Sequence, residues 1–349
     1  MTGSYQPGLR VSEYVLEERV GSGTFGEVWQ ARHHIWKDEH VAIKLPTEPE
    51  YVRYLQREGI VVHGLHHPNI VRVMGLDPYA DVPYLVMELV KGPSLRQVID
   101  EHAGNIPIDV VVTILRGILH AMETAHANNV LHRDLKPGNV LLNLGDRELK
   151  DIEQDDVKVS DFGLGVANPD TLREIVQSAS IDRENRLVGT MAYMAPELRD
   201  GHAKADARCD LYSVGVILFE LLTGERPAGA ELPSTLRAEV PAALDDVFRG
   251  LYSRYDRRYE NAQAVLADLE ARLRPPPPVP PLPHVAVPRT SRRSCPRCGH
   301  VADAHDQFCT QCQQQLVAQL RYCSKCDRWP EPHEVYCDQC GDKLPRAGG

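Results

Sequence analysis

Eight of the nine cysteines fall after residue 294, in four Cys-x-x-Cys pairs whose second half repeats the first at an offset of 28. Cys295-x-x-Cys298 and Cys309-x-x-Cys312 are ten residues apart, as are Cys323-x-x-Cys326 and Cys337-x-x-Cys340. Two thiolates on one tight turn make half of a tetrahedral zinc site, and two such turns complete it. Each unit has too few apolar side chains to fold unaided, so a metal must take the place of a core. Sulfur at all four positions leaves no open coordination site, which points to two structural zinc ions. Pairing of consecutive turns is favoured over an interleaved arrangement. Just upstream, eight prolines lie between residues 275 and 288. Proline fixes φ and removes a donor, so this stretch reads as a semi-rigid polyproline spacer reaching ~40 Å at ~3.1 Å per residue. The chain therefore has to be built as separate bodies, with its apolar core ahead of residue 274 and a metal-held tail behind 295.

At 349 residues two or three domains are expected. No apolar run reaches the ~18 residues of a membrane span. The N-terminus, Met-Thr-Gly-Ser-Tyr-Gln-Pro-Gly, has neither a basic nor an apolar leader region. A cytoplasmic protein is expected, and thiols in such a compartment favour metal over disulfide. The net charge of -10 argues against broad binding to nucleic acid or acidic membranes. From 291 to 349 eight Lys or Arg face seven Asp or Glu, which is no nucleic-acid footprint. A protein partner for the tail is expected instead.

The main body carries several loops with chemistry in them. In Val130 to Leu142 two apolar runs flank Asp134, Lys136 and Asn139. A carboxylate that accepts a hydroxyl proton, an ammonium that balances phosphate charge and an amide oxygen that holds a metal together suit phosphoryl transfer. Val157-Lys-Val-Ser-Asp161-Phe-Gly163 puts a second carboxylate at a strand end, where it can bridge magnesium to a triphosphate. Gly21-Ser22-Gly23-Thr24-Phe25-Gly26 lets backbone amides approach phosphates. Dinucleotide folds use the same letters but open directly into a helix, whereas Val28 to Arg32 continues as a strand. Three strands are expected between 14 and 45. In Val41-Ala42-Ile43-Lys44 alternation sets Val41 and Ile43 on one face, Ala42 and Lys44 on the other. Glu50 to Gly64 reads as a helix with Glu58 in its middle, 108 to 129 as a buried helix, and 240 to 273 as closing helices. Asp210 to Thr223 is apolar nearly all round and must be buried on every side. His120 and His126 read as packing or surface residues. The charged run 143–156 reads as a solvated loop.

Five distinct signatures in this order and spacing resemble the catalytic domain of eukaryotic-type, bacterial-like serine/threonine protein kinases, over residues 14–273. The cysteine spacing resembles a double zinc ribbon. The resemblance implies an α+β, bilobal fold, a small β-rich lobe on a large helical one, followed by two small four-cysteine zinc-ribbon modules. The expected organisation is an N-terminal extension (1–13), kinase domain (14–273), proline-rich linker (274–294) and ribbons at 295–312 and 323–340. It implies ATP under Gly21 to Gly26, with Ser22, Val28, Ala42 and Leu141 lining its site and Lys44 on its phosphates, held by Glu58. Magnesium or manganese would be held by Asn139 and Asp161. The backbone of Glu88 and Val90 would bind adenine beside a gatekeeper Met87, and Ser94 would sit near the ribose. Asp134 would act as base and Lys136 would stabilise the transferred group, with Thr190 supporting both. Asp210 would anchor the catalytic loop, and Glu197 would pair with Arg258. Autophosphorylation is expected among Thr171, Ser178 and Ser180, with protein substrates phosphorylated on serine or threonine. Leu164 leans toward serine. The alternative is a non-catalytic kinase-fold scaffold acting through its ribbons. A zinc-ribbon nucleic-acid binder is a third class. Asp134→Asn separates the first two, and salt-dependent retention on DNA or RNA tests the third.

Overall fold

Short runs rich in Val, Ile, Tyr and Trp before residue 90 favour strands over helices. In the computed structural model six of them form one antiparallel sheet in the order β1-β2-β3-β4-β6-β5. They are β1 (Arg10–Val11), β2 (Tyr14–Ser22), β3 (Gly26–His33), β4 (His40–Pro46), β5 (Val73–Asp77) and β6 (Tyr84–Glu88). The structure describes residues 5–22, 26–162, 191–199, 205–274, 293–303, 306–316, 323–327, 335–337 and 339–344. The chain divides into two units, 1–274 and 275–349. Gly21 pairs with Val28 and Ser22 with Glu27, so the glycine-rich segment is a hairpin and not the entry to a helix. The stretch before residue 14 joins the sheet as well. Val11 is buried beside Leu16 and Trp29, and Tyr5 OH donates to Pro46 O at 2.6 Å.

The alternation in β4 sorts its side chains between two apolar layers. Val41, Ile43 and Leu45 enter the outer layer with Trp29 and Val86. Ala42 faces the inner core, where Lys44 is buried too. Helix α1 (Val52–Val62) buries Leu55, Glu58, Gly59 and Val62, the spacing of one helical face. A 3-10 turn, Pro49–Tyr51, replaces the first turn of the longer helix expected there. A Cβ on Gly59 would lie 2.7 Å from the Leu76 Cδ2, so a larger residue there would have to turn the ends of Leu76 and Leu85 aside.

The helical part contains α2 (Leu95–His102), α3 (Ile108–Ala127), α4 (Pro196–Arg199), α5 (Ala207–Thr223), α6 (Pro233–Leu236), α7 (Ala242–Leu251) and α8 (Ala262–Leu273). In α5 every residue from Cys209 to Leu222 is buried. Asp206 caps its start and Gly224, at φ 78°, ends it. Arg258, wholly buried, pairs with Glu197 of α4 at 2.7 Å. A hairpin of β7 (Val140–Leu142) and β8 (Val157–Val159) crosses α3. Its connection is largely the solvated loop that its charges suggest, with Asp146, Glu148, Lys150, Asp151, Glu153 and Asp155 exposed, but it is pinned at a few points. Leu144 and Ile152 are buried, Arg147 pairs with Asp156, and Glu153 N donates to Asp156 Oδ2 at 2.8 Å. Glu153 and Asp156 close one backbone turn there. No helix among the described residues is long and apolar enough to cross a membrane.

In the second unit β9 (Arg293–Ser294) pairs with β10 (Val301–Ala302). The bridges Phe308↔Gln315 and Tyr336↔Lys343 repeat the 28-residue offset.

Candidate active site

The loop between α3 and β7 is held from below. Asp210 of α5 accepts from His132 N (2.9 Å) and Arg133 N (2.8 Å) through its two oxygens, and His126 Nε2 lies 2.8 Å from Oδ2. Burial opposes the Asp210 charge, but the bond from His126, the two neighbouring imidazoles and the Arg133 N–H together outweigh it and keep its carboxyl below the ordinary range. Arg133 is thereby held at φ 65°, a left-handed conformation that a non-glycine residue adopts only under such constraint. His132 Nδ1 accepts from Asp134 N (3.3 Å), and Nε2 donates to Ser160 O (2.9 Å). Its ring packs 4.7 Å from Phe162. This one histidine thus ties the loop to the end of β8, where Asp161 sits at φ 61°.

The polar ends converge. Lys136 Nζ lies 2.8 and 3.1 Å from the Asp134 oxygens, and Asn139 Nδ2 donates to Asp134 O at 2.8 Å. That bond turns the Asn139 amide so that its oxygen faces away from Asp134. Lys44 Nζ lies 2.7 Å from Glu58 Oε2 and also pairs with Asp161. Burial works against the Lys44 ammonium, but Asp161 and Glu58 outweigh it and hold it above the lysine range. One ammonium cannot compensate two carboxylates equally. Burial pushes Glu58 up to about 8, while Lys44 keeps Asp161 below its ordinary range against the cost of burial. The side chain of Glu58 is 2% exposed and that of Asp161 28%, so the burden of desolvation falls on Glu58.

These groups surround a cleft of about 1020 Å³. Its polar end is Lys44, Asp134, Lys136, Asn139 and Asp161, and Val28, Ala42, Val71, Met87 and Leu141 give it an apolar wall. The volume is enough for a nucleotide, and an amide oxygen beside a carboxylate is the hard-oxygen donor set that suits magnesium or manganese.

The tail holds two further donor sets. The sulfurs of Cys295, Cys298, Cys309 and Cys312 lie within 4.8 Å of one another, as do those of Cys323, Cys326, Cys337 and Cys340. Cross-turn S···S distances run from 3.4 to 3.6 Å. That is far beyond a disulfide and close to the ~3.8 Å edge of a tetrahedron with Zn–S of about 2.3 Å. After each second cysteine stands a residue in the left-handed region: Gly299, Gln313, Asp327 and Gly341. The backbone turn is the same four times, with and without glycine, and both donor sets fit zinc.

Residues 14–270 match the family model of the protein kinase domain. The chain belongs to the protein kinase family. Residues 295–341 match the double zinc ribbon. PrkC, a serine/threonine-protein kinase of Bacillus subtilis, is 30% identical over 285 residues, covering 75% of this chain and 41% of PrkC. PknL, a serine/threonine-protein kinase of Mycobacterium tuberculosis, is 33% identical over 289 residues, 76% of this chain and 67% of PknL. The chain spans about two fifths of the length of several such curated relatives. The solved kinase domain of PknI from M. tuberculosis aligns with a TM-score of 0.59 at 23% identity, over 77% of this chain and 100% of that one. At that identity the likeness concerns the fold alone.

Within the kinase cleft the structure brings together Gly21, Ser22, Gly26, Val28, Ala42, Lys44, Glu88, Val90, Ser94, Asp134, Lys136, Asn139, Leu141 and Asp161. Glu58 stands behind Lys44. Gly23, Thr24, Phe25, Leu164, Thr171, Ser178, Ser180 and Thr190 lie outside the described residues. Ser94 has a second task, as the N-cap of α2 in a capping box with Gln97. The Glu88 N–H donates to Arg72 O at 2.9 Å, so that group is not available to a base. Sequence reasoning did not find His132 as a linker, nor His126 on Asp210, 84 positions away. It also passed over Val71, Arg96, Tyr193 and Arg226 at the cleft wall. No local pattern marks these residues. Only the two apolar runs around the loop hint that something inside it must be braced.

Proposed function

We propose that the protein transfers the γ-phosphoryl group of ATP to serine or threonine hydroxyls of proteins. The observation that carries this is the convergence of Lys44, Asp134, Lys136, Asn139 and Asp161, drawn from separate stretches of chain, on one cleft. A divalent cation, when bound, supplies neutralising charge between the phosphates, and the Asn139 amide oxygen and the Asp161 carboxylate would hold it. Lys44, fixed by Glu58, clamps the α and β phosphates. The Glu88 carbonyl and Val90 backbone orient the base against the wall of Ala42 and Leu141. Asp134 accepts the proton of the acceptor hydroxyl, and its pairing with Lys136 keeps it aimed. Lys136 then stabilises charge on the transferred oxygens. The two four-cysteine modules would each hold one structural zinc ion. Paired thiols of this kind suit a reducing cytoplasm. Exposed Phe308 and Tyr336 on the ribbons suit a protein partner better than nucleic acid.

The test is transfer of label from ATP with magnesium, comparing wild type with Asp134→Asn. The substitution keeps the shape and removes the base, so transfer should fall by roughly 10²–10⁴-fold while circular dichroism stays unchanged. Equal transfer by both proteins would refute the assignment.

A further inference from the structure

Residues 88–94 carry the chain from β6 to α2 along the wall of the cleft, which Glu88, Val90, Lys91 and Gly92 line. Both ends of this crossing are fastened. At its start the Glu88 carboxylate accepts from Arg72 N at 2.8 Å and lies 3.2 Å, through each oxygen, from Lys158 Nζ of β8. At its end three bonds tie it to β7 and the turn beyond. Leu142 N donates to Pro93 O at 2.9 Å, Gly145 N to Lys91 O at 2.7 Å, and Lys91 N to Asn143 Oδ1 at 3.0 Å. Gly92, at φ 152°, runs so close to β7 that a Cβ there would lie 2.1 Å from Leu142 O. The Asn143 bond differs in kind from its neighbours, because a side chain and not a backbone carbonyl holds the Lys91 amide. A peptide unit is planar and trans, so the Lys91 N–H and the Val90 carbonyl point in opposite directions. An acceptor that fixes the one therefore aims the other. Asn143 is itself held in place by Arg147. Nη2 of Arg147 donates to Asn143 O at 3.0 Å and Nε to Leu144 O at 3.3 Å, and its guanidinium pairs with Asp156, whose carbonyl accepts from Asn143 N at 2.8 Å.

The geometry points to Asn143 as a positioning residue for the nucleotide: by holding the Lys91 N–H from the β7–β8 connection, it sets the angle at which the Val90 backbone meets the base. The inference rests on the phosphoryl-transfer reading above and gives the charged stretch 143–156 a task in it. The bond acts at the base end of the cleft. At the phosphate end Lys44, Asp134, Lys136 and Asp161 take one another and Glu58 as partners, so the chemical step is set elsewhere. A backbone N–H needs an acceptor oxygen, which an amide or a carboxylate supplies and an alkyl group does not.

The test compares wild type, Asn143→Leu and Asn143→Asp as full chains. Magnesium ADP is titrated by calorimetry, and KM for ATP and kcat are taken from label transfer into the chain itself or a general acceptor protein. Asn143→Leu should raise the Kd for ADP and the KM for ATP by roughly three- to tenfold, the worth of one hydrogen bond, with kcat within about twofold. Asn143→Asp keeps the acceptor and should stay within about twofold of wild type on both. Hydrogen exchange of a peptide spanning residues 89–93 should quicken by at least about threefold in Asn143→Leu and not in Asn143→Asp. Arg147→Ala, at an exposed side chain, loosens the turn that carries Asn143 and should move affinity and exchange in the same direction. Equal ADP affinity in wild type, Asn143→Leu and Arg147→Ala overturns the assignment and leaves the kinase reading standing. Equal losses in Asn143→Leu and Asn143→Asp, or a fall in kcat with KM unchanged, mark a packing role and overturn it too. A wild-type chain that neither binds magnesium ADP nor transfers label overturns both readings.

Discussion

At the scale of single residues, His132 shows how a buried neutral side chain can govern the site without touching a substrate. Burial holds its imidazole below the ordinary value of 6.5, and the neutral ring serves as acceptor to Asp134 N and donor to Ser160 O. A group that binds its proton more weakly folded than unfolded contributes fully above its ordinary value, and the contribution drains as the pH falls toward the native one. Denaturant titrations at about pH 7.5 and about pH 5.5 should therefore show stability lost in acid, and His132→Gln should remove most of that difference. At the higher pH the same substitution should cost about 1–3 kcal/mol, because the geometry of two buried bonds is disturbed. An unchanged pH slope in the variant would assign the acid sensitivity to other groups. The motif letters around Asp134 are legible in the sequence, but the tautomer that His132 needs depends on Ser160, 28 residues on.

At the scale of elements, the packing of α3 against β8 fixes where Asp161 stands. The two meet at Gly117, where an added Cβ would lie 2.5 Å from the Cβ of Val157, an atom with no freedom to move aside. Gly117→Ala should cost roughly 1–3 kcal/mol in urea unfolding, as overpacking does. Phosphoryl transfer should fall with it, because Val157 opens the strand that leads to Ser160 and Asp161. A variant as stable and active as wild type would mean that the strand can yield. The helical periodicity of α3 and the all-apolar run of α5 are plain in the sequence. A glycine inside a helical pattern gives no sign of which strand will press on it. The charged stretch 143–156 reads as solvated and most of its charges are exposed, but the sequence gives no sign that Arg147 will pair with the buried Asp156.

At the scale of the whole molecule, two different stabilising principles operate in one chain. The first unit has a large apolar core and a second apolar layer on the other face of its sheet, whereas the one buried cluster described in the tail is Cys323, Cys337 and Leu344, so the tail depends on metal. Elemental analysis should find two zinc ions per chain, and Cys309→Ser should leave one. Chelation should erase the folded signals of the tail and move the main calorimetric unfolding transition by less than about 1 kcal/mol. Loss of the main transition on chelation would show that the first unit also relies on zinc. The sequence by itself determined the division into these bodies, the β hairpin of the glycine segment, the two four-cysteine sets and most of the polar residues that line the cleft. It could do so because spacing along a chain dictates local geometry: period two for β4, period 3.6 for α1, and two thiols on one turn. Only the tertiary structure decided that Lys44 is shared between Glu58 and Asp161, that His126 and Asp210 brace the loop that carries Asp134, and that Glu220 is held by Arg96 and Tyr193. Those outcomes depend on burial and on partners that, Glu58 apart, lie tens of residues away, so no short window of sequence contains every side of such contacts.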